Sequence, residues 1–132
     1  MMNSQSILLN DILVRHWILF DYDIKDAYQK ESVHYLFKVK DSIHYKSLIS
    51  GDYSDYIKLI QTTNQQEHSL DSFLVLKENF NVDFLSDESN KIHLQLHPFL
   101  KKYVVTDGVH RLSILLYNGI TELNPDWFIV QQ

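Results

Sequence analysis

The stretch Tyr103-Val104-Val105-Thr106-Asp107-Gly108-Val109-His110-Arg111-Leu112-Ser113-Ile114-Leu115 changes its apolar period in the middle. Up to Val105 it is aromatic and β-branched, which suits an extended strand. Beyond Asp107-Gly108, positions Leu112, Leu115, Leu116 and Gly119 fall at i, i+3, i+4 and i+7, one stripe of a helix. The reading is a strand, a tight glycine turn, and a helix over 109–118 that packs on a sheet through Leu112, Leu115 and Leu116. Gly119 stands where a left-handed residue would close that helix.

Upstream, Ile92, Leu94 and Leu96 alternate with His93, Gln95 and His97, the pattern of a half-buried strand. Pro98 ends it and Lys101-Lys102 face solvent in the turn, so 92–96 and 103–105 are expected to pair as an antiparallel hairpin. Trp127-Phe128-Ile129-Val130 reads as a final strand. Before the hairpin, Ser86 to Asn90 is a polar loop. Leu70, Phe73, Leu74, Leu76 and Phe80 form the apolar face of a helix with Ser69 as N-cap and Asp71 in its first turn. Ser72 stands where a capping box would place Glu or Gln, so that signal is partial. Gly51-Asp52 opens another helical segment through Tyr53, Tyr56, Ile57 and Ile60, and both tyrosines read as core. The first third is less decided. Ile12 to Phe20 suits a buried strand, with a helix as the alternative, and Val33 to Lys40 a second strand.

The composition bounds what this chain does. Its 132 residues fit one domain, and no repeat or linker divides it. There is no cysteine, which excludes disulfides and thiolate chemistry. The N-terminus lacks a basic leader, no apolar run spans a bilayer, and a cytoplasmic location without membrane partners is the expectation. Net charge is −5, from 12 Lys+Arg against 17 Asp+Glu, with Arg15 and Arg111 the two arginines. Nucleic-acid binding needs a basic surface, so it is disfavoured; a small phosphate-bearing ligand needs one local cation.

The glycine turn supplies such a site. The first N–H groups of a helix starting near Val109 have no intrahelical partner and lie at the positive end of its dipole. Gly108 lets a ligand approach the backbone, and Arg111 offers a two-pronged cation. His110 is biased neutral there until an anion arrives. The alternatives are plain ones: Asp107 as an N-cap, Gly108 serving only the turn, Arg111 as a surface residue. Arg111 at a helix start is unfavourable without an anion, which speaks against the last. His93 and His97 resemble a metal pair, yet on a strand they stand ~13 Å apart, too far for one ion.

Residues 103–115 resemble the signature of the ParB/sulfiredoxin superfamily, whose members carry an Asp-Gly-x-His-Arg or Gly-x-x-Arg element after a β-strand. The likeness covers about 69–130. It implies an α+β fold over residues 1–132: a small mixed sheet with packed helices, and the motif helix after a β-hairpin. It also implies a nucleotide site holding ATP, ADP or CTP, with Mg²⁺. Gly108, Val109, His110 and Arg111 would contact phosphates, and Asp107 would shape the turn or assist the metal. Relatives include CTP-hydrolysing partition proteins, free-serine kinases and ATP-using sulfiredoxins.

Sulfiredoxin chemistry needs a cysteine where Val109 stands, and partition proteins carry helix-turn-helix regions for which 132 residues leave no room. Phosphoryl transfer or nucleotide hydrolysis with a small-molecule acceptor is the expectation that remains. Its general base would come from outside the motif, with His68, Glu31, Glu67 and His34 as candidates and Asp21 and Asp23 behind them. The rival readings are a non-catalytic module for a phosphorylated ligand or partner protein, and then a DNA-binding or nuclease-like relative. A homodimer is left open.

Overall fold

The computed structural model describes residues 5–32, 34–65 and 69–131. In chain order these form β1 (Ile7–Leu8), β2 (Ile12–Trp17), β3 (Gln29–Glu31), β4 (His34–Lys38), α1 (Ile43–Ser50), α2 (Ser54–Thr62), α3 (Leu70–Asn79), β5 (Ile92–Leu96), β6 (Tyr103–Asp107), α4 (Val109–Tyr117), β7 (Glu122–Leu123) and β8 (Phe128–Gln131). Among the described residues the chain is thus a small mixed α+β domain with four α-helices. Its main sheet runs β3-β4-β2-β6-β5-β8, and β1 pairs with β7 beside it.

The hairpin read from the sequence is present: β5 and β6 pair antiparallel with Leu94 opposite Val105 and Leu96 opposite Tyr103. β6 runs two residues beyond Val105 and places Asp107 opposite His93 across a bulge. β2 is the strand expected at its position, but it stops at Trp17 rather than Phe20. It lies parallel to β6, with Val14 beside Val105, so both strands end at the same edge of the sheet. β8 is parallel to β5 and closes that side of the sheet, starting beside Ile92.

Alternation along β2 divides the sheet into two faces. Ile12 and Val14 join Ile92, Leu94, Val105, Leu112 and Leu115 in the main core, so α4 packs through the expected stripe. Behind it, Ile43, Leu48, Tyr56, Leu59, Phe73 and Ile114 lock the four helices to one another. On the opposite face Leu13, Leu36 and Val104 form a small cluster under Leu100, in the turn after β5. Leu96, expected inward, is instead 45 % exposed near the hairpin tip.

Helix α1 is the element the periodicity did not give. Its core-facing residues include His44 and Ser47, so its inward stripe is half polar and reads as surface. Its start is built twice over. Ser42 Oγ accepts from Tyr45 N–H at 3.1 Å, and His16 on β2 accepts the first N–H, that of Ile43, at 3.0 Å. The capping box at α3 is complete rather than partial. Ser69 Oγ accepts from Ser72 N–H, and Ser72 Oγ accepts from Ser69 N–H at 3.1 Å; a hydroxyl does what a Glu or Gln would. The 86–90 loop is wound into short 3-10 turns, with Asp87 capping the second.

Candidate functional site

β6 leads into α4 through one residue. Gly108 is the helix N-cap, at φ 109°, a left-handed conformation that a side chain resists. The capping role expected of Asp107 therefore falls to Gly108, and no side chain caps the helix. The physical reason is that β6 pairs as far as Asp107, leaving the turn a single residue that must have positive φ. Asp107 is the last strand residue. Its largely exposed carboxylate lies 3.5 Å from Nη2 of Arg111, one helical turn on.

Arg111 is not the surface residue of the plain alternative. Its side chain is 19 % exposed, and Nε is buried with no hydrogen-bond partner among the described residues. The guanidinium lies under the glycine turn: a Cβ at position 108 would come within 3.0 Å of Nη2 and 3.1 Å of Ile92 Cγ1. A buried donor without an acceptor is costly, and a cation at a helix start adds to that cost. Both penalties are relieved by an anion.

These groups open onto a pocket of about 710 Å³ at the shared carboxyl end of β2 and β6. Thr106, Asp107, Gly108, Val109, His110 and Arg111 form its floor. Leu59, Phe73, Leu76, Phe80 and Phe84 make an apolar wall from α2, α3 and the segment after α3, and Asn90 and Gln65 add neutral polar groups. A polar floor against an apolar wall suits a ligand with one charged and one apolar end.

Around His110 the helices place a cluster of rings. His44, Tyr56 and Phe73 stand edge-on to it, with interplanar angles of 89°, 90° and 89°. The Tyr56 hydroxyl is 2.8 Å from His110 Nε2. Burial pushes the Tyr56 phenol up to about 12, so it keeps its proton at neutral pH. His16, stacked on His44 with centroids 5.5 Å apart, is held down at about 3 by burial and stays neutral. That agrees with its accepting the Ile43 N–H.

Of the residues expected to act, Asp107, Gly108, Val109, His110 and Arg111 share this pocket. Glu31 does not line it. The Glu31 carboxylate accepts from Arg15 Nε and Nη2, both at 3.1 Å, and from His97 Nε2 at 2.6 Å. His97 Nδ1 already accepts the N–H groups of Phe99 and Leu100, so the proton in that pair sits on Nε2. The hydrogen bond from His97, with those from Arg15, holds the Glu31 carboxyl below its usual range. It ties the hairpin turn to β3. His34 stacks on Trp17, with centroids 4.9 Å apart, and does not line the pocket. Asp21 and Asp23 lie exposed in the segment after β2, where Asp23 accepts from Lys25 N–H. His68 and Glu67 lie outside the described residues, as does Val33 of the second strand. What sequence reasoning missed is the ring cluster; a histidine inside the apolar run of β2 was its one visible signal.

No helix among the described residues is long and apolar enough to cross a membrane. Compared with protein-family models, with curated proteins and with solved structures, the chain matches none.

Proposed function

We propose that this is a ParB/sulfiredoxin-like domain that binds the phosphates of a nucleoside di- or triphosphate at the start of α4 and transfers or hydrolyses a phosphoryl group. The observation that supports it is Arg111, whose guanidinium is held beneath Gly108 with Nε unsatisfied. A phosphate beside the open helix start would accept from the first-turn N–H groups and from Arg111, in place of two penalties. His110 adds a third donor. The apolar wall around Phe73 and Phe80 suits the base and ribose of a nucleotide. If Mg²⁺ accompanies the ligand, Asp107 would share it with phosphate oxygens, since Mg²⁺ is commonly held by one or two carboxylates plus phosphate. Its contribution would be charge neutralisation, which is most of what phosphoryl transfer asks.

One observation favours a second reading, a non-catalytic module for the same class of ligand. Asp107 is the one carboxylate among the described lining residues, and it faces Arg111. Glu31 is engaged elsewhere. Titration calorimetry with ATP, ADP and CTP, with and without Mg²⁺, tests the shared core of both readings. Binding that depends on Arg111 is the expected result. No heat and no thermal shift with any of them, or with pyrophosphate, would remove the site.

A further inference from the structure

We infer that Trp17 is a specificity-determining residue of this pocket: the planar base of the ligand stacks on its indole, which makes the ligand a nucleotide and not a phosphorylated sugar. The inference rests on the anion site proposed above and concerns what is attached to the anion.

Trp17 is placed by the end of β2. The paired ladder between β2 and β6 stops at Val14 and Val105, yet β2 runs on to Trp17 and β6 to Asp107. Both ends beyond the ladder line the pocket, Arg15, His16 and Trp17 from one strand and Thr106 and Asp107 from the other. Continued three residues past Val14 and Val105, the register sets Trp17 level with Gly108.

Alternation decides where the indole stands. It sends His16 toward α1, and Arg15 and Trp17 to the opposite face of the sheet. There Trp17 pairs with His34 on β4, and the two rings stack with centroids 4.9 Å apart and an interplanar angle of 25°. The sheet order β4-β2-β6 fixes which ring face this covers. His34 lies on the β4 side, so the other face looks toward β6 and the glycine turn. The residue level with it is Gly108, which has no side chain to cover it, and Trp17 is 47 % exposed.

An indole braced from behind is a stacking surface for another flat ring. Charge points the same way. Arg15, the cation on the same strand and face, gives Nε and Nη2 to Glu31, both at 3.1 Å. That strand therefore offers no unmatched charge for a second anion. Phosphates at Gly108 and Arg111, with an uncharged ring one strand away, are the layout of a nucleotide. Phe80 and Phe84 line the same pocket and bound the rest of the nucleoside.

The test reads tryptophan emission. Trp17 and Trp127 are the two tryptophans of the chain, and Trp127 does not line this pocket. In Trp127→Phe the emission belongs to Trp17. ADP should quench it, as a stacked base does, whereas pyrophosphate and a pentose phosphate, which fill the anion site without a base, should leave it unchanged. In Trp17→Leu, ADP affinity by calorimetry should fall about tenfold or more, the worth of one base stacked on an aromatic ring, while pyrophosphate affinity holds. ADP bound without quenching overturns the inference. So does equal quenching by pyrophosphate, or an equal loss of both ligands in Trp17→Leu. Should Trp127→Phe not fold, the quenching that the parent shows and Trp17→Leu loses gives the same answer. A parent that binds neither ADP nor pyrophosphate removes the anion site, and the inference with it. One that binds pyrophosphate as tightly as ADP keeps that site and removes the base platform alone.

Discussion

Gly108 sits so close over the Arg111 guanidinium that a Cβ at position 108 would lie 3.0 Å from Nη2 and 3.3 Å from Nε. The glycine thus serves two masters, the left-handed turn between β6 and α4 and the space for the arginine beneath it. Gly108→Ala should destabilise the fold by about 1–3 kcal/mol, the range for a non-glycine residue held in a sparsely populated backbone conformation. Urea denaturation reads the loss. Nucleotide affinity should fall as well, because the arginine must move. A variant as stable as the parent would mean the turn has relaxed and the close approach is not obligatory.

Arg111 should behave as a residue kept for function at the expense of stability. Arg111→Met removes a buried unpaired donor and a cation at a helix start while keeping an unbranched apolar stem. The ion pair with Asp107 is weak compensation, since that carboxylate is 70 % exposed. The ligand-free variant should be at least as stable as the parent, and its thermal shift with ATP, ADP or CTP should vanish. The binding loss expected is about 1.5–3 kcal/mol by calorimetry, the worth of a hydrogen bond to a charged group. A variant that melts well below the parent, yet binds nucleotide equally, would assign Arg111 to packing alone.

Strand, glycine turn and helix were legible because the apolar period changes from two to 3.6 at one place, and Leu112 and Leu115 are buried as that period requires. The clustering of the motif residues followed, since all lie within one turn of one helix start. The burial of Arg111 was not legible, because the burial of one side chain depends on the tertiary packing around it, which local spacing does not report. Nor was α1, whose inner face carries His44 and Ser47. The link from Tyr56 to His110 joins residues 54 positions apart, and no local pattern reports it.

His16 gives the fold an acid-sensitive joint. Its ring accepts the first N–H of α1, and burial holds it down at about 3 from an ordinary 6.5. The unfolded chain therefore takes up a proton below pH 6.5 that the native chain refuses until about pH 3. Stability from this group is full above 6.5 and declines as the pH falls through that window. His16→Gln retains an acceptor for Ile43 and does not titrate. Between pH 7.5 and pH 5 the parent should lose about 2 kcal/mol more than the variant, measured by urea denaturation at each pH. Parallel pH profiles would show that His16 protonates in place.

The last prediction separates catalyst from binding module. Glu31 carries the deprotonated form strongly, held by His97 and Arg15, and such a carboxylate is a poor general base as well as a remote one. Glu31→Gln should leave nucleotide turnover intact. It should instead flatten the loss of stability below about pH 4.5, the ordinary carboxyl value under which the depressed native group gives up its advantage. Asp107 is the group in position to act, at the pocket floor beside Gly108. Asp107→Asn removes a negative charge from beside the bound phosphates, so nucleotide affinity measured without Mg²⁺ should hold or rise. Turnover, followed as phosphate release or transfer to a mixture of small alcohols, should fall by about 10²–10⁴ if the carboxylate assists the acceptor. Turnover unchanged in Asp107→Asn would move the base to a residue outside the described segments, such as His68 or Glu67, and each can be replaced in turn. A parent that binds nucleotide through Arg111 yet consumes none, with any acceptor, would leave the pocket as a recognition site.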